Sequence, residues 1–463
     1  MFFACFALFS FTVFAANVTT GAGKETRGEE IASFREEAEG GASDAQYELG
    51  LIYETGKGVK KDMKEAFRWY RKAADQGAPD AQYKTGLFYE TGSGVEKDMA
   101  EAVKWYRKSA NQDDLDAQYR LGLCYDKGKG VTQDFKEAVK WYRKAAEHGI
   151  TEAQLKLGVC YEKGSGVEKN IKEAVKWYRE AAGRKNSEAQ YRLGVCYETY
   201  GEVQSNDMAA MWYRRAAERG FAEAQFKLAN CYEKGIGVEK TMNEGIHWYN
   251  RSANQGNLDA QIRLFRYYEA GEGIPRNIPE AVKWYRKAMD QGYSDAMFSL
   301  KLGQHYEKGD GVKKDLEEAV EWYRHAAEKG YADRDFLFKL ARYYGGGQGV
   351  RMRLPEAVKW YRKAADQKHP EACFRLGTCY ENGKGVEKNA QEAVKWYLEA
   401  VNNGYKDNMT LFFSLGKAYE SGNGVEKNAQ EALKWYRKAR SFEFEDDDSE
   451  TLRAIRRLEK NNP

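Results

Sequence analysis

Apolar positions along the chain fall at helical spacing, and the pattern restarts about every 36 residues. In the first full copy Ala45, Leu49, Ile52 and Tyr53 share one face at i, i+4, i+7 and i+8. A Gly-x-Gly-Val turn follows, and then Ala66, Trp69, Tyr70 and Ala73 form a second stripe. The two stripes predict a pair of short helices. Every tryptophan of the chain sits in the second stripe as Trp-Tyr: Trp69, Trp105, Trp141, Trp177, Trp212, Trp248, Trp284, Trp322, Trp360, Trp396 and Trp435. A fixed period in this range means one supersecondary unit, copied and stacked, that cannot bury its apolar face alone. The expected fold is all-α, an α/α superhelical solenoid of about eleven helix pairs over residues 42–440.

Local signals agree with helix pairs. Asp62, Asp98, Asp134, Asn170, Ser205, Thr241, Asn277, Asp315, Asn389 and Asn428 stand seven residues before their Trp, where an N-cap is needed. Three residues later most copies carry Glu, such as Glu65 and Glu101, which predicts a capping box. The ninth copy places Arg353 at the cap and is expected to be weaker. Glycines such as Gly56 and Gly77 suit helix ends, and Gly50, Ala66, Ala73 and Ala74 permit close helix approach.

Leu-Gly-x-x-Tyr, Gly-x-Gly-Val and Glu-Ala-x-x-Trp-Tyr-x-x-Ala-Ala-x-x-Gly, once per copy, resemble the Sel-1-like repeat, a relative of the tetratricopeptide repeat. The resemblance implies a right-handed α/α solenoid that acts as a protein-binding adaptor or scaffold, without catalysis. In bacteria such proteins are often secreted or envelope-associated, and in eukaryotes they occur in the endoplasmic reticulum lumen. Some cysteine-rich members have been described as β-lactamases or penicillin binders, which makes an exported enzyme the alternative reading. A surface for cell-wall glycan is a further one, for which exposed aromatic residues would be the feature.

The ends of the chain read differently. Residues 1–16 are apolar and end in small residues, with Val13 and Ala15 placed for signal-peptidase cleavage, although no Lys or Arg precedes the apolar run. They predict a signal peptide, followed by a linker over 17–27. Cleavage predicts a secreted, periplasmic or envelope location, or the secretory pathway of a eukaryote; without it the chain would be cytoplasmic. Residues 28–41 align with a second helix that lacks its Trp, so Ile31 and Phe34 are expected to cover the first repeat. Residues 441–463 read as an acidic linker and a C-terminal capping helix, with Asp448 or Ser449 as its cap.

Composition narrows the chemistry. Lys and Arg total 74 against 71 Asp and Glu, for a net charge of +3, so no basic surplus points to nucleic acid. Cys124, Cys160, Cys196, Cys231 and Cys379 all precede the motif Tyr and read as small buried apolar residues, not as a disulfide framework. Cys373 and Cys379 are a poor pair. Ser414-Leu-Gly-Lys417, Ser252-Ala-Asn254 and Lys84-Thr-Gly86 resemble β-lactamase fragments, but repeat register accounts for each. Gly122–Lys129 and Gly377–Lys384 miss the P-loop spacing by one residue. The five histidines have no metal-ligand spacing, so no metal or cofactor is expected.

The expected partner is a protein or peptide. Tyr47, Leu51 and Glu54 lie at i, i+4 and i+7, on the face assigned as opposite the core. Repetition turns them into ladders: Tyr83, Tyr119, Leu155 and Tyr191 continue the first, and Leu87, Leu123, Val159 and Val195 the second. From the sixth copy the second ladder turns polar, with Asn230, Arg266, Gln304 and Arg342. An extended peptide or amphipathic helix would suit the apolar half; packing between adjacent first helices is the competing reading. Lys84, Arg120, Lys156, Arg192, Lys227, Arg263 and Arg375 form another stripe, each with an acid four residues earlier, and read as ordinary i, i+4 surface pairs. Irregularities at Thr199–Asn206, Phe265 and Gly345–Arg353, and extra residues near 296–301, 332–338 and 407–413, mark candidate hinges or contacts.

Overall fold

A computed structural model describes residues 25–406, 408–442 and 449–461, and every regular element among them is an α-helix. The segment read as a signal peptide, residues 17–24 of the linker, and the acidic stretch 443–448 lie outside the described residues. After a leading helix, Glu25–Glu39, eleven helix pairs follow, and a last helix, Glu450–Asn461, closes the series. Repeats 1–6 and repeats 7–11 form two compact units that meet in sequence at Asn257 and Leu258.

The caps explain where helices begin. In repeat 1 the Asp62 carboxylate accepts from the backbone N–H of Lys64 and Glu65, at 2.9 and 3.1 Å, and opens the helix Met63–Asp75. The capping box is not closed as expected. The Asp62 N–H instead donates to the Tyr53 carbonyl at 3.0 Å, and the same bond recurs through all eleven pairs, to Asn428 and Tyr419. Glu65, freed from that role, pairs with Arg68 one turn on, as Glu101 does with Lys104. Thr241 makes no side-chain cap either, because its hydroxyl donates to the Glu239 carbonyl. Arg353 is uncapped, in line with its sequence.

In most repeats two glycines let the helices close up. A Cβ at Gly86 would lie 2.7 Å from the Tyr106 ring, which fills that notch. Gly94, at φ 70°, lets the turn of repeat 2 sit on the Met63 carbonyl of repeat 1. Ala66, Trp69, Tyr70 and Ala73 are buried as the stripe predicted, as are Ala45, Leu49 and Ile52.

A buried Gln seam, absent from the sequence reading, ties consecutive repeats. Gln46, Gln82, Gln118, Gln154, Gln190 and Gln225 each donate to a backbone carbonyl of the preceding helix, for example Gln82 Nε2 to Ala74 at 3.2 Å. Ala81 and its equivalents beside the Gln keep the approach close. In repeats 8, 9 and 11 the Ala-Gln pair becomes Phe298-Ser299, Phe336-Leu337 and Leu411-Phe412. These side chains hold the backbones apart, and the first helices of those repeats face their predecessors over fewer residues. The extra residues enter just ahead of the same helices, in the connections at 291–295, 329–333 and after Asn402, and not at the positions expected from sequence: 296–301 lies inside the helix Ala296–Lys308, 334–338 inside Arg334–Gly346 and 409–413 inside Met409–Ser421.

The ends mimic repeats. Arg35 donates to the Tyr53 hydroxyl at 2.6 Å and Ala38 receives Gln46, so the leading helix stands in for a second helix, with Phe34 half-buried against Leu49 and Trp69. Ser449 accepts from the Leu452 N–H at 3.2 Å, and Ala454, Ile455 and Leu458 pack on Ala432 and Tyr436.

Candidate docking face

The Tyr47 ladder does not stand opposite the core. Tyr47 is half-buried, with its ring 5.4 Å from that of Tyr70, and Tyr83, Tyr119 and Tyr191 meet Tyr106, Tyr142 and Tyr213 in the same way at about 6 Å. Leu51, Leu87, Leu123, Val159 and Val195 are also half-buried, and Leu155 is buried. The ladders flank the hairpin seam and expose one edge. In repeats 7–11, Arg266 and Arg342 are exposed; Arg266 lies 3.6 Å from Asp295.

The acids at the end of each first helix are spoken for. The buried Tyr70 hydroxyl donates to Glu54 Oε2 at 2.5 Å, and Tyr178, Tyr213, Tyr323, Tyr397 and Tyr436 do the same to Glu162, Glu198, Glu307, Glu381 and Glu420. Burial and the neighbouring carboxylate together push the Tyr70 pKa far above the usual phenol range. Burial works against ionisation of Glu198 and Glu307, but their donors outweigh it and both pKa values are lowered.

The basic stripe forms the expected i, i+4 pairs at Arg192 and Arg375, but other members pair across repeats. Lys84 bridges to Glu54 of the preceding repeat at 2.9 Å, Arg120 to Glu90 at 3.5 Å, and Lys227 to Glu198 at 2.8 Å. Arg192 reaches both Glu162 at 3.5 Å and its own-helix Glu188 at 2.9 Å. The i, i+4 acids of the others, Asp80, Asp116 and Glu223, therefore make no ion pair among the described residues, and neither do Asp44 and Glu152. All five are exposed. A second tie joins Arg71, Arg143 and Arg214 to the hydroxyls of Tyr89, Tyr161 and Tyr232 in the next repeat, at 3.2, 2.7 and 2.8 Å.

Irregular repeats acquire packing roles. Tyr200, which opens the shortened turn of repeat 5, donates back to Glu162 of repeat 4 at 3.3 Å. Phe265 fills the glycine notch of repeat 7, and Tyr285 turns its hydroxyl to Ser299 and the Asp295 carbonyl, both at 2.9 Å. Glu269 is left to Lys301 at 3.2 Å. Beside it an open groove of about 400 Å³ is lined by Arg266, Tyr267, Asp295, Met297, Phe298 and Lys301. Met352, in the altered turn of repeat 9, is exposed.

Chemistry finds no centre among the described residues. Lys84 is committed to Glu54, Ser252 donates to the Ala222 carbonyl at 2.7 Å, and Ser414 lies 3.5 Å from Glu381. Cys124, Cys160, Cys196, Cys231 and Cys373 are buried free thiols, Cys379 a half-buried one. Burial pushes Cys124 up to about 11 and Cys196 up to about 12, away from reactive thiolate. No three His, Cys, Asp or Glu side chains converge there as metal ligands, and no helix is long and apolar enough to cross a membrane.

Comparison with known proteins extends the picture. The family model of the Sel1 repeat matches eleven times, at residues 43–77, 79–114, 115–150, 151–186, 187–221, 222–257, 258–293, 297–331, 335–369, 370–405 and 413–441. Among solved structures, c5321, a protective antigen of uropathogenic Escherichia coli with an SLR fold, is 35% identical over 94% of this chain and 91% of its own, with a TM-score of 0.59. A Sel1 repeat protein from Oxalobacter formigenes is 36% identical over 52% of this chain and 96% of its own, with a TM-score of 0.47. None of the curated proteins matches. Eleven matches that follow the helix pairs one for one place the chain in the Sel1 repeat family, whose members generally mediate protein–protein interaction.

Proposed function

We propose that this protein is a non-catalytic adaptor that binds a partner protein along the first-helix face of repeats 1–5. One observation carries the reading: five consecutive repeats place Tyr or Leu and Leu or Val at the same two positions, and all but the buried Leu155 are half-buried with an edge exposed. The glycan reading has less support, because the Tyr rings are engaged by the tyrosines beneath them and do not offer free faces. The enzyme reading has less support among the described residues: the Ser299 hydroxyl lies 2.9 Å from His325 Nδ1, but Ser299 is fully buried and no substrate reaches it.

The test is affinity capture from extract of the source organism, using the full chain beside a Leu87→Gln, Leu123→Gln variant checked for an unchanged far-UV spectrum. Capture of one protein by the parent chain and its loss in the folded variant supports docking on this face. Equal capture by both moves the site elsewhere. We also propose export, with residues 1–16 as the signal; peptides from residues 1–15 recovered by mass spectrometry of the mature protein would overturn it.

A further inference from the structure

The stripe of carboxylates beside the Tyr ladder has no use inside the fold. Asp44, Asp80, Asp116, Glu152 and Glu223 occupy the first turn of the first helices in repeats 1–4 and 6, on the same face as Tyr47 and Leu51 by i, i+3 and i+7 spacing. A first-turn acid complements the helix dipole, but that dipole end amounts to only about half a charge. The cations that could neutralise the rest are drawn away to the preceding repeat, as Lys84, Arg120 and Lys227 show.

The uncompensated field is felt by neighbours. Tyr47 is pushed up to about 12 by burial first and then by the charges of Asp80, Glu48 and Glu54. Asp114 is raised by burial and, in the same direction, by Asp80 and Asp116; Glu48 is raised by burial and Asp44. Repeats 8–11 carry no such stripe. There the equivalent positions are Met297, Asp335, Glu371 and Thr410; Asp335 meets His369 at 3.3 Å and Glu371 meets Arg375 at 3.1 Å.

Building on the adaptor reading above, we propose that the occupant of the face on repeats 1–6 is an extended basic segment of the partner, which sets a Lys or Arg against each of these unpaired acids, in repeats 1–4 and 6, and apolar side chains against the Tyr47 and Leu51 ladders of repeats 1–5. Spacing agrees with the charge. Neighbouring first helices are bridged directly by side chains, as by Lys84 and Glu54, so their axes are on the order of 10 Å apart. A polyproline II chain advances about 9 Å per three-residue turn, which returns one side chain to the same face per repeat.

Three labelled peptides, Lys-Pro-Leu, Gln-Pro-Leu and Glu-Pro-Leu each repeated five times, test this by fluorescence anisotropy with the full chain at low and high salt. The expected result is tightest binding of the lysine peptide, a difference that shrinks at high salt, and a loss of roughly 3- to 10-fold for that peptide alone in Asp80→Asn, Asp116→Asn. These acids are exposed and unpaired, so the variant is expected to melt close to the parent. Equal binding of the glutamine peptide, or no change in the double variant, overturns the basic occupant while leaving docking on the ladders in place. No binding of any peptide, together with Leu87-dependent capture of a partner, also overturns it and spares the adaptor reading. Failure of that capture as well removes both.

Discussion

At the scale of the residue, the repeats are joined by polar groups that the apolar pattern does not reveal. Each seam Gln of repeats 1–6 gives an amide hydrogen to a carbonyl, and in repeats 1, 2, 6 and 7 the Gln oxygen accepts from a second Gln: Gln76 to Gln46 at 2.8 Å, Gln112 to Gln82 at 2.9 Å, Gln255 to Gln225 at 2.7 Å, Gln291 to Gln261 at 2.9 Å. In repeats 3, 4 and 5 that donor position holds His148, Arg184 and Arg219, and the buried oxygens of Gln118, Gln154 and Gln190 have no partner. Restoring the donor with His148→Gln is expected to raise unfolding free energy by about 0.5–1.5 kcal/mol, read from the urea midpoint. His369 offers a pH-dependent contrast. Its Nδ1 accepts from the Ala372 N–H at 3.1 Å as the cap of the helix Pro370–Asn382, its Nε2 faces Asp335, and its ring stacks on Phe338. Burial depresses its pKa, the nearby Asp335 and Glu371 raise it and Arg334 lowers it, and the net direction is down. An unfolded chain then takes up the proton first, so this contribution is intact above the ordinary imidazole pKa of about 6.5 and is lost as pH falls through it. Replacing the ring with a non-titrating cap, His369→Asn, is expected to flatten the decline in stability between about pH 7 and 5. An unchanged slope would show that other groups dominate.

At the scale of the element, the helices themselves were legible from sequence and their attachments were not. The i, i+4 stripes located both helices of every repeat, and Asp62-type residues located their starts, because apolar spacing and caps are local features. Arg353→Asp is the direct check on the caps: it gives the helix Leu354–Asp366 the acceptor that its counterparts have, and should stabilise by about 0.5–2 kcal/mol in thermal or chemical unfolding. What failed were inferences in which a partner on the same helix competed with one on another helix. Glu65 had the capping-box position, yet the Tyr53 carbonyl reached the Asp62 N–H first. Lys84 had Asp80 one turn back, yet Glu54 lay nearer across the seam. Spacing along one helix cannot rank those options, since the competitor belongs to another helix. Likewise Tyr47 was assigned to a face by its heptad position alone, whereas the Tyr70 ring beneath it comes from the second helix. The candidate face was thus legible as a list of residues but not as a surface.

At the scale of the molecule, two kinds of joint occur, and the bulkier kind is confined to three repeats of the unit formed by repeats 7–11. Repeats 1–6 are joined by Ala-Gln seams, while repeats 8, 9 and 11 begin with bulkier pairs and an added connection. Fewer backbone approaches there predict a graded response in native-state hydrogen exchange: amides of the helices Ala296–Lys308, Arg334–Gly346 and Met409–Ser421 should exchange faster than those of Pro79–Thr91 and Leu115–Lys127. Uniform protection across both units would contradict this. The same joints also settle how far the copies are interchangeable. An edge made of Ala, Gln, Tyr and Arg accepts any of the first six copies equally well, so a chain that skipped one copy while folding would meet no misfit and little penalty. Phe298 meets Phe265 and Tyr285 of the preceding repeat, and Phe336 meets Tyr323 and Tyr331 of its own predecessor. The joints at repeats 8 and 9 thus carry a shape that distinguishes one copy from the next, which the uniform Ala-Gln joints do not.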